Sequence, residues 1–159
     1  KKKICYDLGA DIVFNRKKEF PNKIINEKGE PNYIAWKKIR TLLSKNNIDS
    51  INIVFEHVGR ETLGLSTYLA DRGGKVIICA ATTGYLCTLD LRFIWMQLKT
   101  IIGSHFANYN EASFASKLIF SRKINPLIHS INDIEKLPKM MDKMYRGNTY
   151  GKIVFNHGK

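Results

Sequence analysis

Three short runs rich in apolar and β-branched residues, at 51–55 (INIVF), 76–80 (VIICA) and from 101 (II), are separated by segments with helical periodicity. Strands that are apolar nearly throughout must be covered on both faces, and strands alternating with helices form parallel sheets with right-handed crossovers. The chain is therefore expected to be α/β, a parallel sheet with flanking helices. The helical segments are 33–44, where Tyr33, Trp36, Ile39 and Leu43 share a face, then 60–70, 90–99 with Asp90 as a possible N-cap, 111–121 and 133–146. Residues 2–8 read as the tail of a helix running into Gly9. Residues 10–14 and 152–155 read as further strands, and 20–31, with two prolines and a glycine, as a loop.

Composition narrows the class. A 159-residue chain that is 44% hydrophobic builds one ordinary core and is too apolar for disorder. No apolar run approaches the roughly 18 residues of a membrane span. The opening Lys1-Lys2-Lys3 leads into no apolar leader, so the expected address is the cytoplasm. Cys5, Cys79 and Cys87 have neither metal nor disulfide-framework spacing, and Cys79, inside an apolar run, is expected to be a small buried hydrophobe. The net charge of +12 raises nucleic acid as a partner, but the basic residues are scattered and no block of five like charges occurs. No nucleic-acid role is expected. A basic surface also suits a substrate carrying several phosphates.

In open parallel sheets ligands bind beyond the carboxyl ends of the strands. Here those ends are Glu56-His57-Val58-Gly59, Ala81-Thr82-Thr83-Gly84-Tyr85 and Gly103-Ser104-His105-Phe106. A dinucleotide-binding sheet begins with a strand, a glycine-rich GxGxxG turn and a helix, and no GxGxxG occurs in this chain. The first βαβ unit is expected upstream, so the sheet is incomplete, and the 159 residues alone are expected to be inactive and poorly soluble.

Several segments carry a family resemblance. LGAD at 8–11, DRGGKVI at 71–77 and GKIV at 151–154 are similar, in order and spacing, to segments of the medium-chain dehydrogenase/reductase superfamily. More narrowly, VFEHVGRET at 54–62, CAATTGY at 79–85, RFIWMQLK at 92–99 and IIGSHFANY at 101–109 resemble the crotonyl-CoA carboxylase/reductases, zinc-independent members of the enoyl-reductase branch. The resemblance runs from about residue 4 to 154. It departs at Phe93, where that family often has tyrosine, and at Ala81, where it often has serine.

The resemblance implies an NADPH-binding Rossmann portion over 1–125 and a return to the catalytic domain over 126–159. It implies reduction of an enoyl-CoA by NADPH, with CO2 as co-substrate and an alkylmalonyl-CoA as product. His105 would help hold CO2, since imidazole can donate a hydrogen bond to an oxygen that gains charge; by residue type and position alone it reads more readily as a hydrogen-bonded structural residue. Ala80, Thr82, Thr83, Gly84 and Tyr85 would border the nicotinamide ribose, with Ser104 and Phe106 in the same cofactor set. Glu56, His57 and Gly59 would pass near the cofactor ribose and adenine, backbone mattering more than side chain; Glu56 also reads as a charge facing a helix N-terminus. Arg92 would reach coenzyme A or remain a solvated surface residue, and Trp95 reads as packing at a subunit or domain contact. No metal site is implied. Expected partners are the enoyl-CoA, the N-terminal half of the same enzyme and further copies in a homo-oligomer. The alternatives are a reductase that never carboxylates and a non-catalytic half completed by a partner chain.

Overall fold

The computed structural model describes residues 1–15 and 24–158. Its contacts divide the chain into two compact units, Lys2–His105 and a second made of Lys1 and Phe106–Lys159. No helix among the described residues is long and apolar enough to cross a membrane.

The first unit opens with α1 (Lys2–Asp7), which closes at Gly9 with φ of 96°. The strand expected over 10–14 does not form. Extended backbone becomes a strand only when a neighbour shares its ladder, and among the described residues none lies beside this run. Instead the Val13 N–H reaches the Tyr6 hydroxyl and Phe14 packs against the core. Of the loop expected over 20–31, the first four residues lie outside the described set. The rest is a loop closed by an Ile25–Pro31 bridge.

Helix α2 (Tyr33–Lys45) is capped by Asn32, whose side chain accepts from the Ala35 N–H. Its apolar stripe of Ala35, Trp36, Ile39 and Leu43 is buried. Trp36, 1% exposed, donates its indole N–H to the Ile24 carbonyl at 2.8 Å and meets Tyr33, Tyr68 and Phe93 ring to ring.

The sheet follows the expected alternation: β1 (Ile53–Glu56), α3 (Leu63–Leu69), β2 (Lys75–Ile78), α4 (Arg92–Trp95) and β3 (Thr100–Gly103). The strands are parallel in the order β1-β2-β3, which among the described residues leaves β1 and β3 as edges. The register puts Val54, Val76 and Ile101 in one row, packed with Leu63 and Ala70. The next row, Phe55, Ile77 and Ile102, faces the other way. On that side Phe55 is 67% exposed and Ile53 63%. An exposed apolar sheet face of this kind invites association. Expressed by itself, the 159-residue chain is therefore expected to run as oligomers or aggregates on size-exclusion chromatography with light scattering. Phe55→Lys should shift it toward monomer. A monodisperse unsubstituted monomer would contradict this.

Three local expectations need correction. Helix α3 begins at Leu63 rather than at 60, because residues 59–62 form a turn in which the Thr62 and Leu63 N–H groups both donate to the Gly59 carbonyl. Helix α4 is four residues long rather than ten: Leu98 takes a left-handed φ of 52°, which ends helical propagation. Asp90 still serves its start, accepting from the Arg92 N–H at 3.1 Å. Cys79 is exposed rather than buried, since β2 stops at Ile78.

In the second unit, α5 (Tyr109–Phe120) starts on a capping box in which Asn108 and Glu111 each accept the other's backbone N–H. Strand β4 (Ile128–Asp133), not expected from the sequence, pairs in parallel with β5 (Lys152–Asn156). A short 3-10 turn and α6 (Leu137–Tyr145) join them, in place of one helix over 133–146. A register shift between Ile128 and Ser130 breaks the two-residue period, and β4 turns His129 and Ser130 inward while Ile128 and Ile131 are exposed. Gly151 has φ of 62°, and a Cβ there would overlap the Leu127 carbonyl, which instead receives the Lys152 N–H at 2.8 Å.

Candidate functional site

All three strands of the larger sheet end on one row, Glu56, Ile78 and Gly103, so the loops that follow leave from the same edge. The Glu56 side chain does not project from that edge. It is 3% exposed and its carboxylate is surrounded by donors. Oε1 accepts from the Val58 N–H at 2.7 Å, the Gly59 N–H at 3.1 Å and the Thr62 hydroxyl at 2.8 Å. Oε2 accepts from the Ser66 hydroxyl. Burial alone would raise its pKa, but the hydrogen bonds from Ser66, Thr62, Gly59 and Val58 outweigh burial and hold it below the usual carboxylate range. The nearby Cys87 thiol is pushed up, first by burial and then by the Glu56 charge.

A value depressed in the folded state means that Glu56 adds stability above its unfolded pKa, and that this is lost as pH falls through the folded value. The melting temperature of the complete protein is therefore expected to fall below about pH 4, and to fall less in Glu56→Gln. Asp71 and Asp90 are also held low, so the difference between the two proteins isolates Glu56.

The β1–α3 turn and the β2–α4 loop are zipped together. Thr82 donates its hydroxyl to the His57 carbonyl at 3.0 Å, and Thr83 donates both N–H and hydroxyl to the Val58 carbonyl at 2.8 Å. The Glu61 N–H donates to the Thr83 hydroxyl and the Arg60 N–H to the Gly84 carbonyl, each at 3.1 Å. Gly59, at φ of 89°, lies so close to this loop that a Cβ would stand 2.7 Å from Ala81 Cα. Glu56, His57, Gly59, Thr82, Thr83 and Gly84 are thus one assembly, with the side chains of His57, Thr82 and Thr83 at its exposed surface. Ala80 is exposed just before it and Tyr85, 92% exposed, just after.

Beyond β3, the Ser104 N–H still pairs with the Ile78 carbonyl at 2.8 Å, which keeps the exit of the third strand beside the second. Nothing lies within 4 Å of where a Gly103 Cβ would stand, and His105 follows, exposed. Phe106 takes a left-handed φ of 39° and is 91% exposed. Arg92 is tied only to the far end of the β2–α4 loop, at Asp90. Its guanidinium forms a two-pronged ion pair with Asp90, at 3.0 and 2.7 Å, and Asp90 also accepts from the Tyr33 hydroxyl at 2.6 Å.

Two participants escaped the sequence reading, Thr62 and Ser66. Their four-residue spacing at the start of α3 puts both hydroxyls on the helix face nearest the end of β1, and an apolar strand ending in Glu six residues earlier is the signal that would have found them.

A family profile described as zinc-binding dehydrogenase matches residues 1–121. The chain belongs to the zinc-binding dehydrogenase family. The described residues hold no group of three His, Cys, Asp or Glu side chains that would fit a metal ion. Among relatives of this chain, the crotonyl-CoA reductase of Streptomyces collinus is 39% identical over 157 residues, covering 96% of this chain and 34% of that protein. The crotonyl-CoA carboxylase/reductase of Cereibacter sphaeroides is 36% identical, covering 92% and 35%. The chain thus spans about a third of the length of these curated relatives. Among solved structures, 2-octenoyl-CoA carboxylase reductase CinF in complex with NADP and 2-octenoyl-CoA superposes with a TM-score of 0.82 at 31% identity, over 97% of this chain and 36% of that one. Crotonyl-CoA carboxylase/reductase AntE in complex with NADP gives 0.80 at 27%, over 97% and 40%.

Proposed function

We propose that the chain is part of an NADPH-dependent enoyl-CoA reductase that reductively carboxylates crotonyl-CoA-like thioesters to alkylmalonyl-CoA, in the cytoplasm. The observation that carries this reading is the zipped rim at the carboxyl edge of β1 and β2 with His105 leaving the adjoining strand, in a chain 31% identical to a structure holding NADP and an enoyl-CoA. Residues 1–125 belong to the cofactor domain in this reading, and 126–159 return to the catalytic domain. The open β1 edge and the Ile53/Phe55 face suit the remaining strands and helices of the same sheet, supplied by the N-terminal half of the enzyme. Trp95, 67% exposed, is assigned to a subunit or domain contact, and the complete enzyme to a homo-oligomer.

NADPH, when bound, supplies the hydride that reduces C3 of the enoyl thioester. The chain's own residues position and polarise. Ala80 and Gly84 are small enough to let a cofactor ring approach the loop backbone. The Thr82 and Thr83 hydroxyls donate to the His57 and Val58 carbonyls, so they stiffen the rim that would hold the cofactor. Gly103 leaves room beside the exit of β3, where Ser104 and Phe106 flank His105 in sequence. His105 donates a hydrogen bond to an oxygen of CO2 as the C2 enolate of the substrate attacks its carbon and negative charge moves onto that oxygen. Arg92, already paired with Asp90, meets coenzyme A phosphates only by sharing or exchanging that partner.

The test uses the complete enzyme with NADPH and crotonyl-CoA, with and without bicarbonate plus carbonic anhydrase, and products read by mass spectrometry. Ethylmalonyl-CoA that depends on CO2 is the expected product. Butyryl-CoA alone under all conditions would make this a plain enoyl-CoA reductase. Absence of NADPH oxidation with any enoyl-CoA would overturn the reading, in favour of a non-catalytic half.

A further inference from the structure

We propose that Glu56 is a positioning residue: its buried carboxylate locks the β1–α3 turn against the β2–α4 loop and so sets the shape of the rim that receives the cofactor. This rests on the functional reading above and deepens it. At 3% exposure, with four donors on its two oxygens, the carboxylate is engaged inside the fold and is not offered to a ligand. Its influence passes through the backbone. The two amides it holds belong to Val58 and Gly59. The Val58 carbonyl in turn receives Thr83 through two bonds, and Gly59 is pressed against Ala81. Moving the carboxylate would move the two residues that register one loop on the other.

A carboxylate suits this task because all four partners are donors, and an ionised group accepts from all of them without supplying a proton. Glutamine is the near-isostere that tests it. Its amide oxygen keeps the three acceptances of Oε1, and its NH2 donates to Ser66, whose hydroxyl then turns to accept.

The experiment titrates NADPH into the complete protein and follows cofactor fluorescence, alongside KM values for NADPH and for the enoyl-CoA. Glu56→Ala is expected to raise the NADPH Kd about tenfold, with Glu56→Gln within about threefold of the unsubstituted protein. The KM for enoyl-CoA should move less than that for NADPH. Thr83→Val should weaken NADPH too, and its effect should be less than additive with Glu56→Ala, since both loosen one contact. Should Glu56→Ala not fold, Thr62→Val and Ser66→Ala each remove one donor, and each is expected to raise the Kd by about threefold. Equal losses in the Gln and Ala variants would mean that the charge acts on the ligand directly, and would overturn the proposal. Unchanged affinity in every variant would overturn it as well. An unsubstituted protein that fails to bind NADPH would overturn the functional reading itself, and this role with it.

Discussion

Replacing His105 by alanine in the complete enzyme is expected to lower ethylmalonyl-CoA formation by about 10²–10³-fold, the usual effect of losing one donor to a developing oxyanion. Butyryl-CoA should persist, because hydride transfer to C3 does not require a group that holds CO2, and a proton then takes the place of CO2 at C2. The informative quantity is the ratio of the two products at fixed CO2, measured by mass spectrometry. His105 is exposed at the carboxyl end of the sheet, two residues past a glycine with open space where its Cβ would be. A side chain placed there can reach a ligand without disturbing the core. His105→Gln, which keeps an N–H donor, should recover part of the ratio. An unchanged ratio in the alanine variant would return His105 to a structural role.

The second large effect concerns Gly59. Alanine at this position is expected to destabilise the protein by about 3 kcal/mol, combining left-handed strain with overpacking. At φ of 89° the backbone itself disfavours a side chain. A Cβ would also stand 2.7 Å from Ala81 Cα and 2.9 Å from both Ala81 Cβ and the Gly84 carbonyl, where two loops bonded to each other have little freedom to retreat. Gly73 is the control. Its φ is 72°, but nothing lies within 4 Å of its Cβ position, so Gly73→Ala should cost about 1 kcal/mol from conformation alone. Urea unfolding of the two variants beside the unsubstituted protein separates the contributions. Equal shifts in midpoint would show that the approach to Ala81 carries no weight.

The elements that could be read in advance are those whose burial is simple. Residues 51–55, 76–80 and 101–102 are apolar but for Asn52, so the central strands and their parallel direction followed from composition and alternation. Helix α2 was legible because Tyr33, Trp36, Ile39 and Leu43 recur at helical spacing; its Asn32 cap was not read in advance. The failures have distinct causes. Ile12, Val13 and Phe14 are strand formers, but propensity is expressed only where a neighbouring ladder exists. Strand β4 was hidden by a bulge and by inward-facing polar residues, which left no period to detect. Helix α4 was cut short by the left-handed Leu98, a conformation that residue type does not announce.

At the site, the three loop segments were legible because parallel strands all point their carboxyl ends the same way. The inward turn of Glu56 was not, because it depends on a hydroxyl one turn inside α3. The pairing of Arg92 with Asp90, only two residues apart, lay within reach of local reasoning.

The donors that hold Glu56 all lie within ten residues of it along the chain. Closing loops that short takes little entropy and little time. The clamp can therefore form as fast as the helix it borders, well before distant strands find their partners. A newly made chain would carry the β1–α3 turn as a local instruction, and a recombination event that moved residues 53–84 into another parallel sheet would move that turn together with the loop bonded to it.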